Sequence, residues 1–178
     1  MRRLIVLLAC LLLCCPALAE TPPQPNPEGW RYMGYTPAGV TFLIPADTQL
    51  LELTAADRAA GILMMGMNED YTVQLRRFEA DEMTLTRFRF LLMFTSGAQM
   101  HTRMDGDVEI VCYRNTTPTA VSELYGIALT GTDGCMYKVS IFTGVAEDYA
   151  ADAPVWEIAE QIAQSVSIVD YSAWPLTE

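Results

Sequence analysis

The sequence predicts an α+β domain in which an antiparallel β-sheet lies between helices. Short apolar runs separated by turn residues fill the middle of the chain, and this spacing is typical of antiparallel hairpins. Three of the runs, at residues 62–65, 110–113 and 125–129, are apolar on both faces of the pleat, so the sheet needs cover on both sides. An amphipathic segment near the carboxyl end, from Val155 to Val166, predicts one of the covering helices.

Composition and charge narrow the functional classes. The chain has 178 residues, of which 51% are hydrophobic, and its 22 acidic and 11 basic residues give a formal net charge of -11. This hydrophobic fraction excludes an intrinsically disordered chain, and the length suits one ordinary domain. Nucleic acids and anionic membranes are bound by basic surfaces, so the acidity argues against both as partners.

Residues 1–19 have the three-part pattern of a secretory signal peptide. Arg2 and Arg3 precede an apolar run over residues 4–15, and small residues lead to a predicted cleavage site after Ala19. A membrane-spanning helix needs roughly 20 apolar residues, so this run is too short to span a bilayer. We therefore expect a secreted or cell-envelope protein, with no integral membrane segment in the mature chain.

An alternative for the amino terminus is a lipoprotein anchor. The sequence Leu-Leu-Ala-Cys ending at Cys10 resembles a lipobox, in which that cysteine is acylated after cleavage. Cleavage after Ala19 instead removes two arginines and no acids, which leaves 9 basic and 22 acidic residues and a net charge of -13. Residues 20–29, with four prolines, predict an extended spacer before the domain.

A single α+β domain is predicted over residues 30–169, followed by a short tail, 170–178. Its first part contains a hairpin over residues 32–44 and a second hairpin over residues 62–78. Between them, Thr54 and Asp57 have the spacing of a capping box, which predicts a helix over residues 55–60.

The next segment, residues 85–95, is predicted to be a helix that ends before Gly97. Asp81 or Thr84 can cap its amino terminus. The alternation of arginine and phenylalanine over residues 87–90 also fits a strand, and the four residues that follow are apolar on every side. A helix with this pattern is either nearly engulfed or covers the sheet on one side and a neighbour on the other.

Two further hairpins are predicted, over residues 99–113 and 123–143. In the second, Asp133 and Gly134 suit a type I′ turn, which would pair Thr132 with Cys135.

The last helix is predicted to begin near Asp152, which can cap it, with Pro154 in its first turn. One apolar stripe runs along it, and residues 167–169 close the domain. The stripe consists of Val155, Ile158, Ala159, Ile162 and Val166.

This order of elements resembles the PsbP-like α/β/α sandwich. The features that carry the resemblance are the first hairpin ending in Leu43-Ile44-Pro45, the strand meander, the mid-chain helix, and the terminal helix leading into Ser167 and Ile168. That superfamily includes the extrinsic PsbP subunit of photosystem II, a eukaryotic Ran-binding factor and exported bacterial proteins. The resemblance covers residues 30–169 and implies protein binding without catalysis, but no functional residue can be transferred from it.

Cleavage after Ala19 leaves two cysteines, Cys112 and Cys135. If residues 107–143 form a meander, these cysteines lie on its first and third strands, roughly 23 Å apart along the ladder with Cys112 near Tyr125. A disulfide needs Cα atoms within about 7 Å, so we expect two buried free thiols. An exported protein also favours disulfides, so a bridge stays open as the alternative.

Two groups of side chains are candidate metal ligands. Asp105, Asp107 and Glu109 cluster at a predicted turn and carry oxygens that suit Ca²⁺, although their order differs from that of an EF-hand. The alternative is a turn kept soluble by its charge.

The second group contains methionines, whose thioethers suit Cu⁺. It comprises Met65, Met67, Met100, His101 and Met104. Methionine also fills gaps in cores, and a single histidine on a strand is usually a surface residue.

The sequence contains no recognisable catalytic motif, so no catalytic residue and no cofactor are expected. The leading hypothesis is a secreted or envelope-associated non-enzymatic domain that binds a protein partner. One alternative is a module that binds Ca²⁺, Cu⁺ or a small ligand. A second alternative is a hydrolase with an unrecognised carboxylate site.

Overall fold

A computed structural model of the chain describes residues 27–116, 122–143 and 153–169. Three α-helices are present in this part of the chain: α1 (Ala55–Ala59), α2 (Leu85–Met93) and α3 (Val155–Ser165). Its strands are β1 (Trp30–Tyr35), β2 (Val40–Pro45), β3 (Gln49–Leu50), β4 (Ile62–Met67), β5 (Thr72–Phe78), β6 (Ala98–Asp105), β7 (Val108–Asn115), β8 (Ser122–Thr130), β9 (Met136–Thr143) and β10 (Ser167–Ile168).

The strands form two antiparallel sheets. The larger one has seven strands in the order β3-β4-β5-β9-β8-β7-β6, and the smaller one has the order β1-β2-β10. All four predicted hairpins are present, because β1 pairs with β2, β4 with β5, β6 with β7, and β8 with β9. The predicted α+β class is confirmed.

Both faces of the large sheet are packed against other elements, as expected for strands that are apolar on both faces. Alternate residues of β8 point to two separate cores: Ile127 and Leu129 face one, and Ala128 faces the other. The first core is closed by α3 and the small sheet, which contributes Phe42. The second core is closed by α2, which packs over β6 and β8.

The short helix α1 begins as predicted. The Thr54 side chain accepts a hydrogen bond from the Asp57 backbone N–H, and the Asp57 carboxylate accepts one from the Thr54 N–H at 2.9 Å. These reciprocal bonds form the capping box that the sequence predicts.

In α3 the predicted stripe faces the core, but two details differ. Trp156 is also buried, with the Arg114 guanidinium 3.6 Å above its ring, although the periodic pattern omitted it. Pro154 occupies the N-cap position rather than the first turn, and no side chain caps the helix. The predicted cap, Asp152, lies outside the described residues, as do the predicted leader, most of the spacer and the tail.

The predicted type I′ turn between β8 and β9 is wrong. Thr130 pairs with Met136, so residues 131–135 form a five-residue loop closed by a hydrogen bond from the Gly131 N–H to the Cys135 carbonyl at 2.9 Å. A type I′ turn needs two consecutive residues with positive φ, and only Gly134 has one in this loop. Thr132 therefore does not pair with Cys135, and the register moves by one residue.

This shift changes the expected position of Cys112. It lies opposite Ile127 rather than near Tyr125, and Ile127 lies opposite Val139. Cys135 is four residues from Val139 and two strands from Cys112, which separates the two cysteines by about 16 Å. That distance is shorter than expected from the sequence but still far beyond disulfide range.

No helix in the described part of the chain is long and apolar enough to cross a bilayer.

Candidate functional site

Helix α2 carries the most apolar exposed surface of the described residues. Thr84 starts the helix, because its side-chain oxygen accepts a hydrogen bond from the Arg87 N–H at 3.2 Å. The predicted alternative cap, Asp81, is not used. The helix ends at Met93, and Gly97 takes a positive φ before β6 begins. The sequence placed both ends of this helix within two residues.

The inner face of α2 fixes the helix to the large sheet. Leu85, Phe88 and Leu92 are buried against residues of β7, β8 and β9. The Phe88 ring meets the Tyr113 ring edge to face, with 5.7 Å between centroids, and the Lys138 ammonium lies 5.5 Å from the Phe88 centroid. These contacts hold the helix in one orientation, so its outer face is defined too.

The outer face of α2, together with its C-cap residue Phe94, is apolar and exposed. Phe90, Leu91 and Phe94 expose 57%, 47% and 73% of their surface, and we call these three residues the docking face. At 100° per residue, Phe90 and Phe94 lie opposite the buried stripe, and their rings touch edge to face with centroids 4.9 Å apart. The docking face exposes about 400 Å² of apolar surface, within the size range of patches that are often functional on monomers.

Charged side chains surround the docking face without covering it. The Arg89 guanidinium pairs with the Glu109 carboxylate at 2.6 Å and so ties the helix to β7. The Arg87 guanidinium donates to the Glu82 carbonyl at 2.9 Å. An apolar centre with a polar rim is the usual anatomy of a protein interface.

The docking-face residues were not among the residues singled out as candidate ligands from the sequence. The available signal was the apolar run after residue 90, which already suggested that the helix covers the sheet on one side and a neighbour on the other. The structure shows directly that one side of α2 covers the sheet. That the other side covers a neighbouring molecule stays a proposal.

The acidic metal candidates are not arranged as a metal site. Glu109 of β7 is paired with Arg89, Asp105 ends β6, and Asp107 lies in the turn between β6 and β7. Within the described ranges, no group of three or more His, Cys, Asp or Glu side chains is arranged to hold a metal ion.

The methionine candidates lie at opposite ends of the large sheet. Met65 and Met67 are on β4, whereas Met100, His101 and Met104 are on β6, five strand spacings or about 24 Å away. The structure therefore does not bring the two halves of the copper candidate together. His101 is exposed, as expected for a surface histidine.

A concave region of 530 Å³ is the nearest approach to a carboxylate site among the described pockets. Its lining includes Asp47, Glu69 and Asp70, all of them exposed. The Asn68 side chain organises the loop by accepting hydrogen bonds from the Asp70 and Tyr71 N–H groups, both at 3.0 Å. General-acid carboxyls are usually buried to raise their pKa, and these three are not.

Cys135 belongs to a polar cluster at the β8–β9 loop. The Arg77 guanidinium donates to its Sγ at 3.1 Å and also approaches the Asp133 carboxylate at 3.4 Å. Asp133 accepts from the Tyr137 hydroxyl at 2.8 Å and from the Cys135 N–H at 3.1 Å. Although burial raises the pKa of Asp133, these hydrogen bonds and the guanidinium hold it below its ordinary value. The cluster stabilises the loop.

Comparison with solved structures identifies a similar fold. The chain is similar to the solution structure of cyanobacterial PsbP (CyanoP) from Synechocystis sp. PCC 6803, with a TM-score of 0.54 and 15% sequence identity. The similarity covers 82% of this chain and 96% of that chain. No protein-family model and no curated protein sequence matches. The predicted PsbP-like α+β fold is therefore confirmed, and at this identity the likeness extends to the fold alone.

Proposed function

We propose that this chain is a secreted or envelope-associated, non-enzymatic domain that binds a protein partner through the docking face of α2. The observation that carries the proposal is the exposure of Phe90, Leu91 and Phe94 on a helix whose opposite side is anchored in the core. The contact between the Phe90 and Phe94 rings leaves most of their surface in water, whereas a partner surface that covers them gains its burial.

Burial of the docking face supplies part of the free energy that specific binding needs. Covering about 400 Å² of apolar surface contributes roughly 10 kcal/mol at 25 cal/mol per Å². Association costs about 4–15 kcal/mol in lost freedom, so the docking face needs support from rim contacts. Aromatic side chains at the centre of an interface commonly dominate its energy, which makes Phe90 and Phe94 the expected anchors.

Two further features support a protein partner. The resemblance to PsbP-like domains implies protein binding without catalysis, and the fold itself is shared with cyanobacterial PsbP. The net charge of -11 opposes contact with nucleic acid or anionic lipid, which leaves a neutral or basic protein surface as the complement.

Site-specific photo-crosslinking in the producing cells tests this function. A photoreactive phenylalanine analogue replaces Phe94, and the matched control carries the same analogue at Glu157, an exposed position on α3. We expect an adduct with a different protein from position 94 and none from position 157. The Phe90→Ser change should reduce the yield of that adduct. No adduct with another protein from position 94, or equal adducts from both positions, would contradict the proposal.

A further inference from the structure

Among the described strands, β6 is a long edge of the large sheet. It spans eight residues, Ala98–Asp105, and pairs on one side with β7 through an uninterrupted register. No other described strand pairs with it. The opposite edge, β3, is only two residues long. Natural edges are usually shortened, bulged or guarded by proline or lysine, and β6 has none of these features.

The side chains of β6 alternate in polarity. Ala98 and Met100 pack toward α2, and Met104 lies on the same face by the two-residue period of a strand. The central charge, Arg103, lies on the other face. Its guanidinium donates to the Ala163 carbonyl at 2.9 Å and to the Val166 carbonyl. Because Arg103 is already bound by carbonyls at the end of α3, it does not guard the edge.

Two exposed methionines lie beside β6, one on α2 and one on the strand itself. Phe88 faces the sheet centre, where it meets Tyr113 of β7 and Lys138 of β9. The opposite flank of the helix, which carries Arg89 and Met93, therefore faces the β6 side. Met93 is 64% exposed and Met104 is 61% exposed, so an apolar flank accompanies the open strand.

We propose that two copies of this chain pair antiparallel through β6, about a two-fold axis at Thr102. Directly opposed residues of antiparallel strands lie on the same face. This register places Met100 opposite Met104 of the second copy, and Gln99 opposite Asp105 of the second copy. The two large sheets then form one continuous sheet of fourteen strands.

A second copy fits this surface better than an isolated peptide. Because α2 packs over β6 and β8, it is centred near β7, and the two helices of the pair lie about 14 Å apart across three strand spacings. The Met93 side chains of both copies can fill that space, whereas a lone strand would satisfy β6 and leave Met93 exposed. The arrangement is isologous and closed, which is the commonest form of dimer. It leaves Phe90 and Phe94 on the outside, so it is independent of the proposed partner site.

Charge supplies a signature of this dimer. Each mature copy carries a net charge of -13 after the predicted cleavage of two arginines, so the copies repel each other at long range. Salt screens this repulsion, with a Debye length of about 8 Å at physiological ionic strength and about 30 Å at low ionic strength. The dimer is therefore expected to tighten as salt is added.

Sedimentation equilibrium of the purified exported protein tests the proposal, from micromolar to millimolar concentration at low and physiological ionic strength. We expect the average mass to rise from that of a monomer to that of a dimer as the protein concentration increases. This rise should occur at a lower protein concentration in the higher salt. Met104→Asp should weaken the dimer at least about tenfold, because the new carboxylate would be buried when the two strands pair. Met104 is exposed in the single chain, so the change should not affect folding. Met67→Asp, an exposed methionine on β4, is the matched control and should leave association unchanged.

A cysteine probe tests the register itself. Thr102→Cys should give a disulfide-linked dimer on mild oxidation at least about tenfold faster than Gln161→Cys, an exposed control on α3, since only the former pair lies within bridging distance. A monomer under all conditions would overturn the proposal. So would a dimer that Thr102→Cys does not trap, or one that Met104→Asp does not weaken. These outcomes do not bear on crosslinking at position 94, so the two proposals fail separately.

Discussion

Cys112 and Cys135 are both free and buried in the structure, but their surroundings differ. Cys112 lies in the apolar core between the large sheet and α3, where burial raises the pKa of its thiol. Cys135 lies beside Arg77 and within 3.8 Å of the Glu79 carboxylate. Reaction with a thiol reagent requires an accessible thiolate, and burial limits access to both sulfurs.

We predict that both thiols are slow to react in the folded mature protein. Labelling with an aromatic disulfide reagent should proceed at least about tenfold faster in denaturant than in native buffer, where access is limited by opening of the fold. The denatured mature chain should release two equivalents of the reagent's thiol product. A count of zero would mean that the cysteines are paired and would contradict the free-thiol prediction.

Asp133 shows what residue-level sequence patterns leave undetermined. The pair Asp-Gly predicts a two-residue turn from the backbone conformations that these residues favour, without regard to the hydrogen bonds of the aspartate side chain. In the structure its carboxylate binds the Tyr137 hydroxyl and the Cys135 N–H, so the loop opens to five residues. A one-residue change of register exchanges the faces of a strand, yet the β8 and β9 residues are apolar on both faces. The hydrophobic pattern therefore did not specify the register.

At the scale of elements, α2 and α3 differ in how fully the sequence predicts their roles. In α3 the polar residues lie opposite the buried stripe, so periodicity alone identified its inner face. In α2 apolar residues surround the axis, and tertiary contacts such as that of Phe88 with Tyr113 distinguish the inner side from the outer side. The ends of α2 were predictable from Thr84 and Gly97, but its exposed face was not.

Substituting a phenylalanine on the inner side of α2 is expected to change stability far more than substituting one on the outer side. Phe88→Ala removes a ring that is 91% buried against the sheet and should lower the free energy of unfolding by about 3 kcal/mol. Phe94→Ser alters a ring that is 73% exposed and should change it by no more than about 0.5 kcal/mol. Urea unfolding followed by circular dichroism measures both. A large loss in Phe94→Ser would show that another part of the chain covers the docking face.

At the scale of the whole molecule, local hairpins were predictable but their order in the sheet was not. Each hairpin has its own turn signal, whereas the pairing of β5 with β9 joins residues more than 55 positions apart and has no local signature. The resemblance to PsbP-like domains supplied the layer arrangement that the residue pattern only suggested. The position of β6 at the edge of the described sheet likewise follows from the strand order and not from the strand's own sequence.

Buried tyrosines make the stability of the whole domain depend on alkaline pH. Burial raises the pKa of Tyr71 and Tyr125 above the ordinary value of about 10, and Tyr137 shifts in the same direction because of burial and its bond to Asp133. The unfolded chain therefore loses these protons first. The stability contributed by the neutral phenols is fully present below about pH 10 and is lost as pH rises from there toward the folded-state values.

We therefore predict that the free energy of unfolding falls above about pH 10, by up to about 1.4 kcal/mol per pH unit for each such tyrosine. The Tyr125→Phe variant has no phenol to ionise at this position. Its free energy of unfolding should therefore fall less steeply than that of the parent protein above pH 10 and match it closely near pH 8. Tyr32→Phe, at a half-exposed position, controls for the loss of a phenol at the surface. Urea midpoints between pH 8 and pH 11 provide the measurement. If Tyr125→Phe and the parent lose stability in parallel, the ionisation of Tyr125 does not oppose folding.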